Sequence, residues 1–300
     1  MGFPVQIRVL AFKMKLARGV KDFQPEEKLC RQFLVNKLQK AFELQGFVPL
    51  ETPIIERLET LTAKGGAGEG SDALKEIFRF NDQGKRNLAL RFDLTVPLAR
   101  FVAMNTNLKM PFKRYQVGRV YRDGPVKTGR MREFWQCDAD IVGCKEMTAD
   151  AECIKLLNKG FNNLGLEVNI YISNRKILAS LIEKSGINSE LADQVMISVD
   201  KYKKQGAKGV IEDMAERGFE KKLAETVLKN IMVTGTNEEK IKQLEKVIPN
   251  NEGLKELKQL IEFVPYKNVI FLPSLARGLN YYTGTIVEVF SKDESLNFSL

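Results

Sequence analysis

Residues 115–142, YQVGRVYRDGPVKTGRMREFWQCDADIV, concentrate side chains able to hold a charged small molecule. Period-two alternation through the second half of this stretch places Arg132, Phe134, Gln136, Asp138 and Asp140 on one face. Met131, Trp135, Cys137, Ala139 and Ile141 fall on the other, which reads as a core face. A strand face turned to water would carry scattered Lys, Glu and Thr, whereas the first face carries an aromatic, an amide and two carboxylates in succession. It reads as the floor of a polar pocket. Between residues 109 and 132 stand Lys109, Lys113, Arg114, Arg119, Arg122, Lys127, Arg130 and Arg132, with Asp123 as the one acid. Positive potential beside a carboxylate-bearing face suits a substrate with phosphates at one end and an amine or imidazole at the other.

The chain of 300 residues contains no histidine. That excludes Ser-His-Asp and Cys-His catalysis, imidazole general-base chemistry and His-ligated metals. Reactions run by positioning and charge neutralisation remain, led by phosphoryl or nucleotidyl transfer with arginine and magnesium. Cys30, Cys137, Cys144 and Cys153 form no CxxC pair, so a zinc site would need all four thiolates, and reduced, mostly buried thiols are expected instead. The net charge of +9, from 47 Lys and Arg against 38 Asp and Glu, favours a polyanionic partner.

These groups need elements to position them. Strand-like runs at 115–122 and 131–142, joined by a polar loop over 123–130, predict an antiparallel hairpin. Upstream, Pro25 followed by Glu26 and Glu27 starts a helix with the apolar stripe Leu29, Phe33, Leu38, Ala41 and Phe42, which Gly46 stops. A short strand follows over 47–51 and ends at Thr52-Pro53. The glycine-rich segment 64–72, KGGAGEGSD, lacks both the GK[ST] ending of a P-loop and the frame of a dinucleotide site. It is either a loop that closes over a substrate or a plain linker. A second hairpin is predicted from 76–80 and 87–92. Asp93-Leu94-Thr95 then leads into a helix over 96–104, where Asp93 or Thr95 either caps the helix or holds a substrate ammonium.

Beyond the central hairpin the pattern predicts a helix over 149–163 and a strand over 167–173. From 187 to 263 the composition turns to Lys, Glu and Leu in helical periodicity, broken at Gly206 and Gly218 and at the TGTNEE and PNNEG turns, which reads as a helical insertion with solvated charged faces. Strand signals resume over 268–272 and in LARGLNYYTGTIVEVF at 275–290. Tyr281 and Tyr282 there either pack in a sheet or line the pocket. With 44% hydrophobic and 28% charged residues, the chain has the composition of a soluble globular protein with room for one large or two ordinary domains. It has no apolar run of the roughly eighteen residues that a membrane span needs, and its start lacks signal-peptide and myristoylation patterns, so a cytoplasmic location is expected.

VGRVYRDGPVKTGRMREFWQCDADIVG resembles motif 2 of histidyl-tRNA synthetase, a class II aminoacyl-tRNA synthetase family, in its archaeal and eukaryotic form, and LARGLNYYTGTIVEVF resembles that family's histidine-binding signature. ARGVKDF, the motif-1-like GFVPLETPII and LRFDLTVPLAR agree with the family in order and spacing. The resemblance implies an α+β fold, an antiparallel sheet flanked by helices with a helical insertion. It divides the chain into a first part of the catalytic core over 1–186, the insertion over 187–263 and the histidine signature over 264–300. It further implies that Asp93, Thr95 and Gln136 hold the substrate α-amino group, while Asp140 and Tyr282, with Tyr281 beside them, bind the imidazole. Arg122 would bridge the α-phosphate and the histidine carboxylate, Phe134 would stack on adenine, and Arg277 would neutralise the α-phosphate as the carboxylate attacks. No side chain need act as a base, because the nucleophile is already ionised at neutral pH.

The implied function is histidine–tRNA ligation: L-histidine and ATP with Mg2+ give histidyl-adenylate, which is then transferred to tRNA(His). A homodimer in the cytoplasm, with no protein-held metal and no membrane partner, is expected. Asn280 stands where the family usually has Asp, and the family continues past the position of Leu300 into motif 3 and an anticodon-binding domain, so a catalytic-region fragment is expected. The rival reading is a non-catalytic, synthetase-like regulatory or histidine-binding subunit. A third, a nucleic-acid-binding module using only the basic hairpin, leaves the acidic pocket unexplained.

Overall fold

A computed structural model describes residues 15–63, 72–127, 129–276 and 282–293 of the chain. The glycine-rich segment lies outside the described residues except for its last member, Asp72. Helix α1 (Pro25–Leu44) begins at the proline that the sequence marks, with Glu26 and Glu27 in its first turn. Gly46, at φ +78°, takes the left-handed conformation that turns the chain out of it. Strand β1 (Val48–Pro49) follows. Only the C-terminal half of α1 is covered: Ala41 and Phe42 are buried, and Phe42 packs with Phe47, Tyr115 and Leu156. Leu29 and Phe33, predicted as core, are 71% and 57% exposed. The cluster beneath the helix ends before it reaches them, so the apolar stripe continues over a surface that no described residue covers.

Strand β2 (Ile55–Arg57), helices α2 (Leu58–Thr62) and α3 (Asp72–Lys75), and strands β3 (Arg79–Asn81) and β4 (Asn87–Leu90) form a small unit completed by helix α4 (Thr95–Met104). Its sheet has the order β2-β4-β3, antiparallel throughout; β3 and β4 form the second predicted hairpin, with Arg79 opposite Ala89. Leu61, Ile77, Ala89, Phe92 and Val96 make its core. Glu56, nearly buried, binds Arg100 of α4 through both carboxylate oxygens at 3.0 Å from Nε, tying sheet to helix.

The central hairpin consists of β5 (Phe112–Tyr121) and β6 (Glu133–Val142), paired antiparallel from Phe112 opposite Val142 to Tyr121 opposite Glu133. β1 adds to its edge in parallel. Ala139 and Ile141 face the cluster around Phe42, as period two predicts. Trp135 and Cys137, assigned to the same core face, leave it: Cys137 is exposed, and Trp135 is met by Lys28 Nζ and the Arg31 guanidinium of α1 at 5.6 and 5.5 Å from the ring centroid. Cys30 is exposed as well, so the thiols are less buried than expected.

Helix α5 (Met147–Asn163) leads to β7 (Val168–Asn174), then α6 (Arg175–Lys184), α7 (Ala192–Asp200), α8 (Tyr202–Glu216), α9 (Lys221–Ile231), α10 (Asn237–Val247) and α11 (Glu252–Phe263), and the chain returns in β8 (Val269–Phe271) and β9 (Thr285–Ser291). β7 is central, parallel to β8 and antiparallel to β9. Ile170 and Ile172 oppose Val289 and Val287, and this face joins one continuous core with α5 and the helices from α6 to α11. The predicted breaks are structural: Gly206 (φ +65°) kinks α8, and Gly218 (φ +90°) follows its end. Thr236 and Glu239 close a reciprocal cap on α10, and Asn251 caps α11 by accepting from Leu254 N at 3.1 Å.

Candidate active site

The corner between β4 and α4 carries the first site residues. Asp93 is 5% exposed, and its Oδ1 accepts the Val96 amide at 3.1 Å, so this side chain caps the helix that Thr95 opens. Burial pushes its carboxyl up to about 6, against the pull of the Val96 and Thr95 amides and the charges of Arg122 and Arg114. A cap needs no charge. A carboxylate held here at that expense is suited to an incoming cation.

The hairpin register sets the pocket floor. Arg114 lies opposite Asp140, Gln116 opposite Asp138, Gly118 opposite Gln136 and Val120 opposite Phe134. Gln136 Nε2 donates to Asp138 Oδ2 at 2.9 Å. Burial drives Asp138 up to about 6, the Gln136 bond opposes that shift, and the neighbouring Asp140 and Asp93 add to it. Burial also raises Asp140, while the Arg114 guanidinium pulls it down. Arg114 Nη2 stands 2.7 Å from Asp140 Oδ2. Against the same face of β5, Arg91 donates to the carbonyls of Thr52 at 2.6 Å and Arg119 at 2.9 Å. A Cβ at residue 118 would sit 2.5 Å from Arg91 Nη2, so glycine there is what lets this guanidinium lie against the strand.

At the opposite end, Arg122 Nε donates to the Phe92 carbonyl at 3.1 Å, and its guanidinium is 5.1 Å from the Phe134 ring centroid. The arginine thus joins the Asp93 corner to the aromatic end of β6. The site has an anionic, amide-lined end and a cationic, aromatic end. The basic window is less bare than its local sequence implies. Lys113 pairs with Glu152 at 2.6 Å, Arg119 with Glu133 at 3.3 Å, Arg130 with Glu76 at 2.7 Å and Arg132 with Asp123 at 3.0 Å. Of the remaining predicted site residues, Tyr282 is partly buried ahead of β9, and Arg277 and Tyr281 lie outside the described residues.

Asp93, Arg122, Phe134, Gln136 and Asp140 are therefore brought to one corner and one hairpin face. The sequence reading assigns no role to Arg114 or Asp138, although both stand in the stretches it singles out. No local signal marks the pair: setting residue 122 against 131 across the predicted loop puts residue 114 opposite 139, one residue away from the observed register.

Residues 19–298 match the family model described as histidyl-tRNA synthetase. Histidine–tRNA ligase 1 of Bacillus cereus is 42% identical over 295 residues, covering 96% of this chain and 67% of the relative. The histidine–tRNA ligase of Aeropyrum pernix is 39% identical over 279 residues, covering 91% of this chain and 63% of the relative. The crystal structure of histidyl-tRNA synthetase from Nostoc sp. PCC 7120 aligns with a TM-score of 0.80 at 29% identity, covering 95% of this chain and 67% of that one. A Bacillus halodurans structure described as an ATP phosphoribosyltransferase regulatory subunit/histidyl-tRNA synthetase shares the fold at a TM-score of 0.79 and 23% identity, covering 96% of this chain and 75% of that one. An arginine and an aromatic opposite clustered carboxylates on a motif-2-like hairpin, within a chain matched across nearly its whole length, place it in the histidyl-tRNA synthetase family, with that family's class II α+β fold.

Proposed function

We propose that the chain activates L-histidine with ATP to histidyl-adenylate and passes the histidyl group to tRNA(His). The observation that carries this reading is the polarity of the pocket: Asp93, Asp138 and Asp140 cluster at one end, and Arg122 lies by Phe134 at the other. Asp93, Thr95 and Gln136 hold the α-ammonium, and Asp140 with Tyr282 binds the imidazole, a role that Tyr281 shares by the family resemblance. Arg122 spans the carboxylate and the α-phosphate, Phe134 stacks on adenine, and Arg277 meets the charge that shifts at phosphorus. The ionised carboxylate attacks that phosphorus and pyrophosphate leaves, so positioning and charge neutralisation suffice. Among the described residues no group of three or more Cys, Asp or Glu side chains is placed to hold a metal ion, so magnesium would arrive on the ATP phosphates, where it neutralises charge.

Exposed apolar side chains on and beside α1, among them Leu29, Phe33, Leu34, Leu44 and Val48, support a homodimer formed through this face. The chain's net charge of +9 supports docking of a tRNA, and no described helix is long and apolar enough to cross a membrane, in keeping with work in the cytoplasm. The test is histidine-dependent exchange of labelled pyrophosphate into ATP. Exchange supports activation. Histidine binding by calorimetry without exchange would support the rival reading, a regulatory or histidine-binding subunit, which the same fold also accommodates. Neither binding nor exchange would overturn both.

A further inference from the structure

Arg114 has no assigned part in this chemistry, yet it heads the largest fully buried side chains among the described residues, at 0% exposed. Its Nη2 reaches two places at once, Asp140 Oδ2 at 2.7 Å and the Leu94 carbonyl at 3.1 Å. Leu94 is the residue between Asp93 and Thr95, so one guanidinium spans both ends of the amino-acid pocket. Nε and Nη1 of Arg114 have no hydrogen-bond partner, and Asp140 Oδ2 makes none despite its ionic contact. Stability does not account for this arrangement. A buried ion pair is often no better than apolar side chains of the same volume, and unmet donors make it worse.

We infer that Arg114 is the positioning residue of the histidine pocket: it keeps Asp140 an anionic acceptor for the imidazole N–H and ties that carboxylate to the corner bearing Asp93 and Thr95. This rests on the reading of Asp140 as the imidazole partner. A neutral imidazole donates one N–H, and only an ionised carboxylate accepts it with a charge-assisted bond. Among the described residues, the titratable groups that interact with Asp140 are Arg114 from β5, Asp138 from its own strand and Cys153 from α5, which Glu152 and Lys113, paired with each other, also act on. Asp93 acts on Asp138 from the corner. Among these, Arg114 is the cation in contact with the carboxylate, and it opposes both burial and the repulsion of Asp138. It engages Oδ2, which leaves Oδ1 as the oxygen offered to a ligand. The Asp140 side chain is 28% exposed, so a ligand can reach it.

The experiment is calorimetric titration of histidine and, separately, of ATP into the purified chain between about pH 5.5 and 8.5, with Arg114→Met, Arg114→Lys and Asp140→Ala beside the wild type. Arg114→Met should weaken histidine at neutral pH by roughly thirtyfold or more, the loss that follows truncation of one partner of a buried charge pair, and should leave ATP affinity nearly unchanged. It should also move the acid limb of histidine affinity to higher pH, because a carboxyl deprived of its guanidinium protonates more readily. The titration of histidine's own imidazole is common to both proteins, so the difference belongs to Asp140. Arg114→Lys should restore the position of the acid limb while remaining several-fold weaker, since a point charge cannot reproduce the planar fork. Equal losses for histidine and ATP in a folded Arg114→Met protein, or an unmoved acid limb, would overturn the inference. Should Arg114→Met not fold, Arg114→Lys decides alone, and wild-type histidine affinity at every pH would overturn it. A wild type that binds no histidine, or an Asp140→Ala protein that binds it as the wild type does, would instead defeat the reading of the pocket itself.

Discussion

Replacing Asp93 with Asn should make the protein more stable and less able to bind histidine. The carboxyl is 5% exposed, and burial raises it from an ordinary 3.8 to about 6. The folded state therefore binds this proton more tightly than the unfolded chain does. The contribution of Asp93 to stability is whole below about pH 4, falls as pH rises through about 6, and is gone above that. The gap corresponds to about 3 kcal/mol at neutral pH, a substantial fraction of the stability of an ordinary domain. Asparagine matches aspartate in shape, keeps an oxygen for the Val96 amide, serves equally well as a cap and cannot ionise. Thermal unfolding followed by circular dichroism should give the Asp93→Asn protein a midpoint several degrees above the wild type near pH 7.5, with the difference closing toward about pH 4. Calorimetry on the same samples should show histidine affinity down by roughly thirtyfold, because a substrate ammonium has lost its charged partner. A variant less stable than the wild type near pH 7.5, or a stability difference independent of pH, would refute the assignment of a destabilising, functionally retained charge.

Asp140→Ala should weaken histidine binding far more than ATP binding, and calorimetry with equal losses for both would remove Asp140 from the pocket. Arg122→Ala should slow histidine-dependent pyrophosphate exchange by orders of magnitude, about a thousandfold for an arginine facing a transferring phosphoryl group, and an unchanged rate would remove it from the site. Gly118→Ala should lower stability by about 1–3 kcal/mol through overpacking, because its Cβ would meet Arg91 Nη2 at 2.5 Å; a denaturation midpoint equal to the wild type would show that Arg91 yields freely. Phe33→Glu should shift the protein toward monomer in sedimentation without unfolding it, since this ring is 57% exposed on α1.

The hairpin and the polar face of β6 are legible in the sequence because a strand's period of two needs only local residues. The partners of that face are not. Alternation says which side a residue faces, whereas the ion pair between Arg114 and Asp140 depends on where the turn sets the register, and the strands run slightly differently from their sequence pattern: β5 begins at Phe112 and β6 at Glu133. Asp138 escapes for a related reason. The charges that act on it include Asp93, which lies 45 residues away in sequence, so no local pattern reports them. The basic window misleads in the opposite direction, since Glu76 and Glu152 reach it from distant segments and pair with Arg130 and Lys113.

Helix α1 exposes the same limit at the level of surfaces. Its stripe of Leu29, Phe33, Leu38, Ala41 and Phe42 has the correct helical spacing, yet only the last part is covered by Phe47, Tyr115 and Leu156. Periodicity measures how apolar a face is and cannot say whether its cover comes from the same chain or another. The site obeys a comparable rule. Asp93 caps a helix, Gln136 and Asp138 bond to each other, and Arg114 spans Leu94 and Asp140, so these described pocket groups already have a structural contact in the protein alone. Such contacts fix the side chains before a ligand arrives, while the raised carboxyls of Asp93 and Asp138 leave electrostatic demand that those contacts do not meet. A cation bearing an N–H donor would meet it, which ties the pre-ordering of the pocket to its choice of substrate.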